Sequence, residues 1–315
     1  MMLRWFLARL LVAGATVLGV TTLVFALIHL AGDPLAGLVP PGSSPEQLTQ
    51  LRHAYGLDRP LPEQYLDFLA HAARGDFGES WRQKRPALDA VRDRLPATLI
   101  LAGAAMTLAA IGGGALGVAA GARIGRPVDW IARSIAMAGQ AAPAFLIGAV
   151  SIFVFAVRLR WLPASGFDGP AALVLPTIAL AAFPMATTIR LVRAGVAGAL
   201  DAEFVRTARG KGLTEGRIVR GHVLRNALLP ALAFAGFQAS FLLSGATVVE
   251  AVFSYPGIGQ LALIAVADRD LPVIEAYVAT VAVLLVFVSI AVDVIARWAD
   301  PRLRENGYDR AGSTA

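Results

Sequence analysis

The chain has 315 residues, of which 57% are hydrophobic and 16% are charged, and its mean hydropathy is +0.63. Soluble domains carry about 25% charged residues, so this composition excludes an ordinary soluble domain and indicates several membrane spans. The absence of cysteine excludes disulfides, thiolate metal sites and thiol nucleophiles. The net charge of +6 comes from basic residues beside apolar segments, where membrane topology explains them, so we do not expect nucleic-acid binding.

Six apolar segments predict an all-α integral membrane protein with six transmembrane helices. The first is uncharged throughout and longer than the roughly 7–15 residues that form the apolar region of a signal peptide, so we expect it to be retained. The predicted spans are residues 10–30, 96–122, 135–157, 171–189, 230–249 and 272–295.

The distribution of basic residues predicts the orientation of these spans. More than half of the 28 Lys and Arg residues lie in segments that share one side of the membrane when six spans are drawn. Basic residues accumulate on the cytoplasmic side, so residues 1–9, 198–229 and 296–315 are expected there and both termini are cytoplasmic. Residues 31–95 and 250–271 are then extracytoplasmic loops. The first also contains basic residues, but loops beyond about 60 residues report topology poorly.

Small residues recur at every fourth position of the second predicted span. They are Ala109, Gly113, Gly117 and Gly121. Such a ridge lets the backbone of another helix approach closely, so the pattern predicts a helix-packing surface. A phosphate-binding loop is the alternative interpretation of these glycines, but no Gly-Lys-Ser/Thr follows them.

Polar residues and prolines in the later spans indicate candidates for a translocation path. Pro143 lies in the third predicted span, and Pro176 and Pro184 lie in the fourth. Prolines inside spans are tolerated where neighbouring helices or water satisfy the freed carbonyl groups. The candidate path residues are Gln140, Thr187, Thr188, Gln238, Ser240, Ser244 and Thr247. Hydrogen bonding between helices is the alternative role for the two threonines.

The most charged segment of the chain, residues 201–230, lies between two apolar spans. It predicts two short helices separated at Gly210 and Gly212. Phe204, Val205 and Ala208 recur at helical spacing and predict an apolar stripe on the first helix. Periodicity and charge alone leave two roles open, a loop that contacts a partner protein and a basic loop held at anionic lipid.

The motif RTARGKGL followed by RNALLP resembles the cytoplasmic coupling loop of permeases from bacterial ATP-binding-cassette (ABC) importers. In detail it is similar to the peptide/nickel permease family, in the branch without an N-terminal cytoplasmic extension. The external segments GLDRPLPEQYLDFLAHAARGDFGESW and SGATVVEAVFSYPGIGQL also resemble that family. The resemblance implies the type I importer permease fold. It also implies an ATPase-coupling site formed by Glu203, Phe204, Val205, Arg206, Thr207, Ala208, Arg209, Gly210, Lys211, Gly212 and Leu213.

The resemblance further implies the partners of the chain. They are a second, homologous permease forming a heterodimer, two ATP-binding subunits, an extracytoplasmic solute-binding protein and the bilayer of the bacterial cytoplasmic membrane. The first loop would pack over the outer mouth or contact the binding protein. Di- or oligopeptides are the expected cargo, with nickel chelates as the alternative.

The chain itself is not expected to be an enzyme or to bind a cofactor or metal. It lacks the GxxxxGK[ST] motif, so ATP and Mg²⁺ are expected on the partner ATPases. A secondary transporter is a more distant alternative, but the first five predicted spans lack the Asp, Glu, Lys or Arg that ion coupling normally uses. An intramembrane hydrolase is disfavoured because we expect no buried His or Asp that could activate Ser240 or Ser244.

Overall fold

A computed structural model describes residues 2–30, 45–54 and 58–299, and the described chain is helical without a β-strand. The helices are α1 Met2–Leu30, α2 Pro45–Ala54, α3 Leu61–Ala72, α4 Ala87–Gly121, α5 Pro127–Ala141, α6 Ala144–Ser151, α7 Pro170–Leu200, α8 Glu203–Gly210, α9 Glu215–Ile218, α10 Leu224–Ala227, α11 Leu229–Val252, α12 Ile258–Asp268 and α13 Leu271–Ala299. Two π-helical turns, Ile152–Arg158 and Val219–Val223, continue α6 and α9.

Several helices begin at a proline, which explains where they start. Pro62, Pro127, Pro170 and Pro230 lie in the first turn of α3, α5, α7 and α11. Proline suits this position because its fixed φ is helical and its missing N–H would have no partner there.

Among the described residues, four helices are long and apolar enough to cross a membrane, namely α4, α7, α11 and α13. The pair α5 and α6 meets the same criterion when its two helices are counted together, as a broken span or a re-entrant loop, and α1 covers the first predicted span. The prediction of an all-α integral membrane protein is therefore confirmed.

The third predicted span differs from expectation because it is not continuous. The chain turns by 110° between α5 and α6. Ala142, at the break, has extended backbone angles of φ −90° and ψ 126°. A residue before proline avoids the helical region, and Pro143 has no N–H to continue the helix, so the break lies where the local sequence disfavours a helix.

The fourth helix is longer than predicted. α7 continues through Pro176 and Pro184 and past residue 189 to Leu200. Arg190 and Arg193 end the apolar run, but both are good helix formers, so they do not end the helix. α4 likewise begins at Ala87, before the predicted start of its span.

The described chain divides into two compact units, of which the first contains the residues up to Thr98 and Pro256–Val286. Its core joins the start of α4 to α12 and α13 through Ala87, Ala90, Val91, Ile258, Leu261, Ala265, Val273 and Ala276. Asp270 fastens the segment before α4 to this core, because its carboxylate accepts hydrogen bonds from Ser80 Oγ at 2.5 Å and from the N–H groups of Trp81 and Arg82 at 3.1 and 3.2 Å.

The second unit comprises Leu99–Tyr255 and residues 287–299, and α7 is its central helix. In the most apolar 18-residue stretch of α7, 61% of the residues are buried, compared with 28% in the corresponding stretch of α11. One face of α7 packs against α4 and α5 through Ala120, Ala132, Ala136, Ala186 and Ile189. Small residues dominate this contact, which allows the three helices to approach closely.

Candidate coupling helix and translocation site

The predicted coupling segment forms the short helix α8, which buries one face and exposes the other. Val205 and Ala208 are buried, with 0% and 6% of their surface exposed. Phe204, the third residue of the predicted apolar stripe, is 40% exposed. The remaining predicted coupling residues are exposed apart from half-buried Leu213; they are Glu203, Arg206, Thr207, Arg209, Gly210, Lys211 and Gly212.

The buried face of α8 packs on the end of α7. Val205 and Ala208 share an apolar core with Val192, Val196, Ile218, Val223 and Ala227. Gly195 brings α7 and α10 together, because a Cβ at this position would lie 2.6 Å from the carbonyl oxygen of Ala227. Helix α8 thus packs on α7 through apolar contacts, and its charged face is exposed.

The turn after α8 is formed by a glycine and an ion pair. Gly210 is still helical, whereas Gly212 has a left-handed φ of 77°, a conformation that glycine adopts without strain. Arg209 then reaches across the turn, and its Nε lies 2.7 Å from Glu215 Oε1. Arg209 lowers the pKa of the Glu215 carboxyl, and Glu215 raises the pKa of the Arg209 guanidinium. Both groups therefore stay charged near neutral pH.

The ridge of small residues on α4 faces α7. A Cβ on Gly113 would lie 2.9 Å from the Met185 carbonyl oxygen, and one on Gly117 would lie 2.8 Å from Val192 Cβ. On Gly121 it would lie 2.7 Å from the carbonyl oxygen of Arg193. Ala109, the fourth member of the ridge, is fully buried. Three turns of α4 thus approach α7 at distances that exclude any side chain.

Two of the candidate path residues cross-link helices in the interior. Gln238 on α11 is 3% exposed, and its Nε2 donates to the Pro184 carbonyl oxygen at 3.1 Å. The same Nε2 lies 3.5 Å from Thr188 Oγ1, and Thr188 itself is 8% exposed. This geometry fits hydrogen bonding between α7 and α11, the alternative role for Thr188.

Three further candidates lie along α11. Ser240 and Thr247 are half-buried and Ser244 is exposed. The Ser244 hydroxyl donates to the Ser240 carbonyl oxygen at 3.5 Å within the helix. Because Ser244 satisfies its hydroxyl on its own helix, it can remain at an apolar surface at little cost.

Gln140 and Thr187 meet at the other side of α7. Gln140 Nε2 donates to Thr187 Oγ1 at 3.4 Å, and the Thr187 hydroxyl donates to the Phe183 carbonyl oxygen at 3.1 Å. Arg190 joins this pair because its Nη1 donates to Gln140 Oε1. Arg190 was not among the residues that the sequence singles out. Its helical spacing from Thr187 is the signal that could have found it.

A cavity of about 380 Å³ lies beside Gln140, at the break between α5 and α6. Its walls are mostly apolar and come from α5, α6, α7 and α11. They include Phe145, Leu180, Phe183, Phe241, Gly245 and Val248. The Phe183 and Phe241 rings are in contact, with centroids 4.8 Å apart. Of the predicted path residues, only Gln140 lines this cavity.

A buried ion pair joins α5 to α7 and is a second feature that the sequence analysis missed. Asp129, 2% exposed, accepts from Arg193 Nε at 2.5 Å and from Arg193 Nη2 at 3.0 Å. The Gly125 N–H also donates to Asp129 at 3.0 Å. The two residues are far apart in sequence, and only the packing of α5 against α7 brings them together.

The predicted external segment SGATVVEAVFSYPGIGQL contains a tyrosine that lies in the protein interior. Tyr255 is fully buried and packs edge-on against Phe167, with ring centroids 5.2 Å apart. Burial, followed by the charge of Glu250, raises the pKa of Tyr255 to about 12. Its N–H donates to the Glu250 carbonyl oxygen at 2.8 Å, which closes the turn.

Comparison with known proteins identifies the family. Residues 113–305 match the family described as "Binding-protein-dependent transport system inner membrane component". The chain belongs to this family. Residues 2–102 match the corresponding N-terminal family, "Binding-prot-dependent transport system membrane comp, N-term". The two matches together cover most of the chain, so this permease is a membrane subunit of an ABC importer rather than a member of an enzyme family.

Two relatives show which family of ABC importer permeases the chain resembles in detail. The permease is 37% identical over 304 residues to the "Glutathione transport system permease protein GsiC" of Escherichia coli (strain K12), covering 96% of this chain and 99% of GsiC. GsiC from Shigella flexneri serotype 5b (strain 8401) matches with the same identity and coverage. The predicted membership of the peptide/nickel family of ABC importer permeases is therefore confirmed.

A solved structure supports the fold. The permease resembles a chain of the MetNI methionine ABC transporter in an inward-facing conformation, with a TM-score of 0.53 and 18% identity. The match covers 67% of this chain and 96% of that chain. This likeness shows the type I importer permease fold alone.

Proposed function

We propose that this permease forms half of a translocation path for di- or oligopeptides across the bacterial cytoplasmic membrane and couples it to separate ATPases. It would pair with a second, homologous permease and receive cargo from an extracytoplasmic solute-binding protein. Two ATP-binding subunits would hold ATP and Mg²⁺, and this chain would bind no cofactor. The coupling residues Glu203 to Leu213 would dock on one ATPase.

The observation that carries this proposal is the seating of α8. Its apolar face rests on α7 through Val205 and Ala208, and its charged face is exposed. A helix anchored on one side and polar on the other can transmit a push from a partner to the helix beneath it. A basic loop that only rests on lipid would not need a buried contact of this kind.

The cargo follows from the relatives rather than from the fold. GsiC is named for glutathione, a tripeptide, which supports a small peptide as cargo of this permease. Nickel chelates are the second candidate, because the family also includes nickel permeases. Purification of the tagged permease from mild detergent with mass spectrometry of bound proteins identifies the partners. A second permease, two ATPases and a nearby receptor that binds peptides are the expected result, whereas a solitary chain that moves solute with a proton gradient would contradict the proposal.

Proline substitution in α8 tests the coupling role. Ala208→Pro removes a helical N–H in the second half of α8 and should abolish uptake without lowering the amount of permease in the membrane, because α8 lies outside the spans. The matched control is Glu215→Pro, at the first position of α9, after Thr214 with an extended ψ of 147°. Proline is tolerated at such a position, and the ion pair with Arg209 that this change removes is exposed and contributes little, so the variant should keep most of the uptake. Normal uptake by Ala208→Pro would refute the coupling assignment.

A further inference from the structure

Helix α7 carries two arginines one turn apart, and their positive charges are balanced in different ways. Arg193 is paired with the buried carboxylate of Asp129. Arg190 is exposed, and within the described part of the chain no carboxylate lies within ion-pairing distance of it. Its side-chain contact is the neutral amide oxygen of Gln140. A guanidinium at the end of an apolar helix segment is costly unless it faces water or an anion.

The guanidinium of Arg190 is held in place and still has donors to spare. Gln140 accepts one of its N–H groups and is itself oriented by Thr187, 3.4 Å from the amide nitrogen. A guanidinium has five N–H donors, so four remain available for another acceptor. A carboxylate is the acceptor whose geometry and charge fit them best, because two parallel hydrogen bonds can form.

The apolar cavity adjoins this cation through Gln140. The cavity measures about 380 Å³, and its walls include Leu180, Phe183, Phe241 and Val248. That volume is at the lower end of the range for small-molecule pockets, about 300–1,000 Å³. An apolar wall beside a fixed cation suits a molecule with an apolar group and an anionic group close together.

The break between α5 and α6 is the reason that the cavity exists. Residues Ala141–Phe145 line it, and the 110° turn at Pro143 separates α6 from the line of α5. Broken helices of this kind commonly line the substrate sites of transporters, where an unbroken helix would leave no space.

We infer that Arg190, Gln140 and Thr187, together with this cavity, form a cargo-binding site of the permease. Arg190 binds the terminal carboxylate of a peptide, and the cavity accepts the apolar side chain of its last residue. This inference rests on the proposed peptide cargo and adds a site and a preference to it. The site prefers a free carboxylate over an amide, and a bulky apolar terminal residue over a small one.

Binding to the complete, purified importer without its receptor tests the site directly. Labelled Ala-Phe, its C-terminal amide and Ala-Ala are equilibrated with the complex, and bound peptide is measured by equilibrium dialysis. The wild-type complex should bind Ala-Phe about tenfold more tightly than the amide, the size expected for hydrogen bonds to a charged group. Arg190→Gln should remove that difference, and Arg190→Lys should restore part of it.

The cavity is tested by filling it. Gly245 lines the cavity, and a Cβ on it would lie 3.4 Å from Leu180 Cδ1, so Gly245→Leu occupies the space. This variant should lose the preference for Ala-Phe over Ala-Ala, whereas Gly245→Ala should keep it. If the acid-to-amide ratio is unchanged in Arg190→Gln, or the Ala-Phe to Ala-Ala ratio is unchanged in Gly245→Leu, the inference is overturned.

Uptake into vesicles separates this inference from the proposed function. Vesicles with the complete importer and its receptor are prepared from phosphatidylcholine alone and with phosphatidylglycerol added. If peptide is imported but the acid and the amide bind equally well, the inferred cargo site is wrong and the proposed function is still supported. If no peptide is imported, both the site and the proposed function are contradicted. Loss of uptake in Arg190→Gln that appears only with phosphatidylglycerol would instead assign Arg190 to a lipid phosphate and overturn the site.

Discussion

The buried pair of Asp129 and Arg193 provides the sharpest test of the packing between α5 and α7. Asp129→Asn leaves an oxygen that can still accept from the Gly125 N–H but removes the charge that compensates Arg193. Arg193→Met removes the cation and keeps much of the apolar stem. Each single change leaves one charged group without its partner, and the double change leaves neither.

The structure determines the size of the expected effect. Removing one member of a fully buried ion pair costs about 3–5 kcal/mol, because the other charge stays in the interior. The Arg193 side chain is 26% exposed and that of Asp129 is 2% exposed, so partial solvation should reduce the loss to about 2–4 kcal/mol. In large chains each kcal/mol lowers the unfolding midpoint by about 2–4 °C, which predicts a shift of about 4–16 °C.

Thermal unfolding of the purified importer, followed by tryptophan fluorescence, measures this shift. The double variant should recover at least half of the loss of the worse single variant, since no isolated charge remains. The control is Asp93→Asn, which breaks the exposed pair with Arg85 and should leave the midpoint unchanged. If the midpoints of the single variants lie within 1 °C of wild type, an unpaired buried charge does not cost the expected ~2–4 kcal/mol. A double variant that is as unstable as the sum of the two single variants would also contradict the expectation.

Three further substitutions test other contacts. Gly117→Leu should lower the amount of assembled permease because a Cβ would lie 2.8 Å from Val192, whereas Gly114→Leu, which meets open space, should not; equal abundance of the two would argue against the ridge. Asp270→Ala should destabilise the purified importer by about 3–5 kcal/mol and expose residues 80–85 to limited proteolysis, since it removes an acceptor of three hydrogen bonds; unchanged protease resistance would contradict this. Tyr255→Phe should be neutral or stabilise by about 1 kcal/mol in thermal unfolding, because the buried hydroxyl has no hydrogen-bond partner among the described residues; a clear loss would show an unseen partner.

The parts of the fold that local sequence determines could be predicted. Long apolar runs have to cross a membrane as helices, because the bilayer offers no other partner for the backbone. The short helix α8 was also predictable, since Val205 and Ala208 recur at helical spacing and Gly212 ends the turn. Starts were predicted unevenly, since α7 begins at Pro170, next to the predicted residue 171, whereas α5 begins at Pro127, eight residues before the predicted residue 135.

Features that depend on contacts between distant segments could not be predicted. The effect of Pro143 was ambiguous, because Pro176 and Pro184 lie within one continuous helix while Pro143 breaks the chain. Proline is tolerated where neighbours stabilise the helix, and those neighbours are not visible in a local pattern. The partners of Arg190 and Arg193 were missed for the same reason, since both lie on another helix.

Helix α7 connects α8, the proposed coupling helix, to the inferred cargo site within the second unit. Its final turns support α8 through Val192 and Val196, and the turn before them carries Arg190 and the contact with Gln140. Because α7 is one unbroken helix from Pro170 to Leu200, a displacement of α8 moves the cation as well. The same helix is tied to α5 by the Asp129 pair, so α5 follows it up to the break at Pro143. A push on α8 would therefore change the shape of the cavity at that break, which is the effect that coupling ATP hydrolysis to cargo release requires.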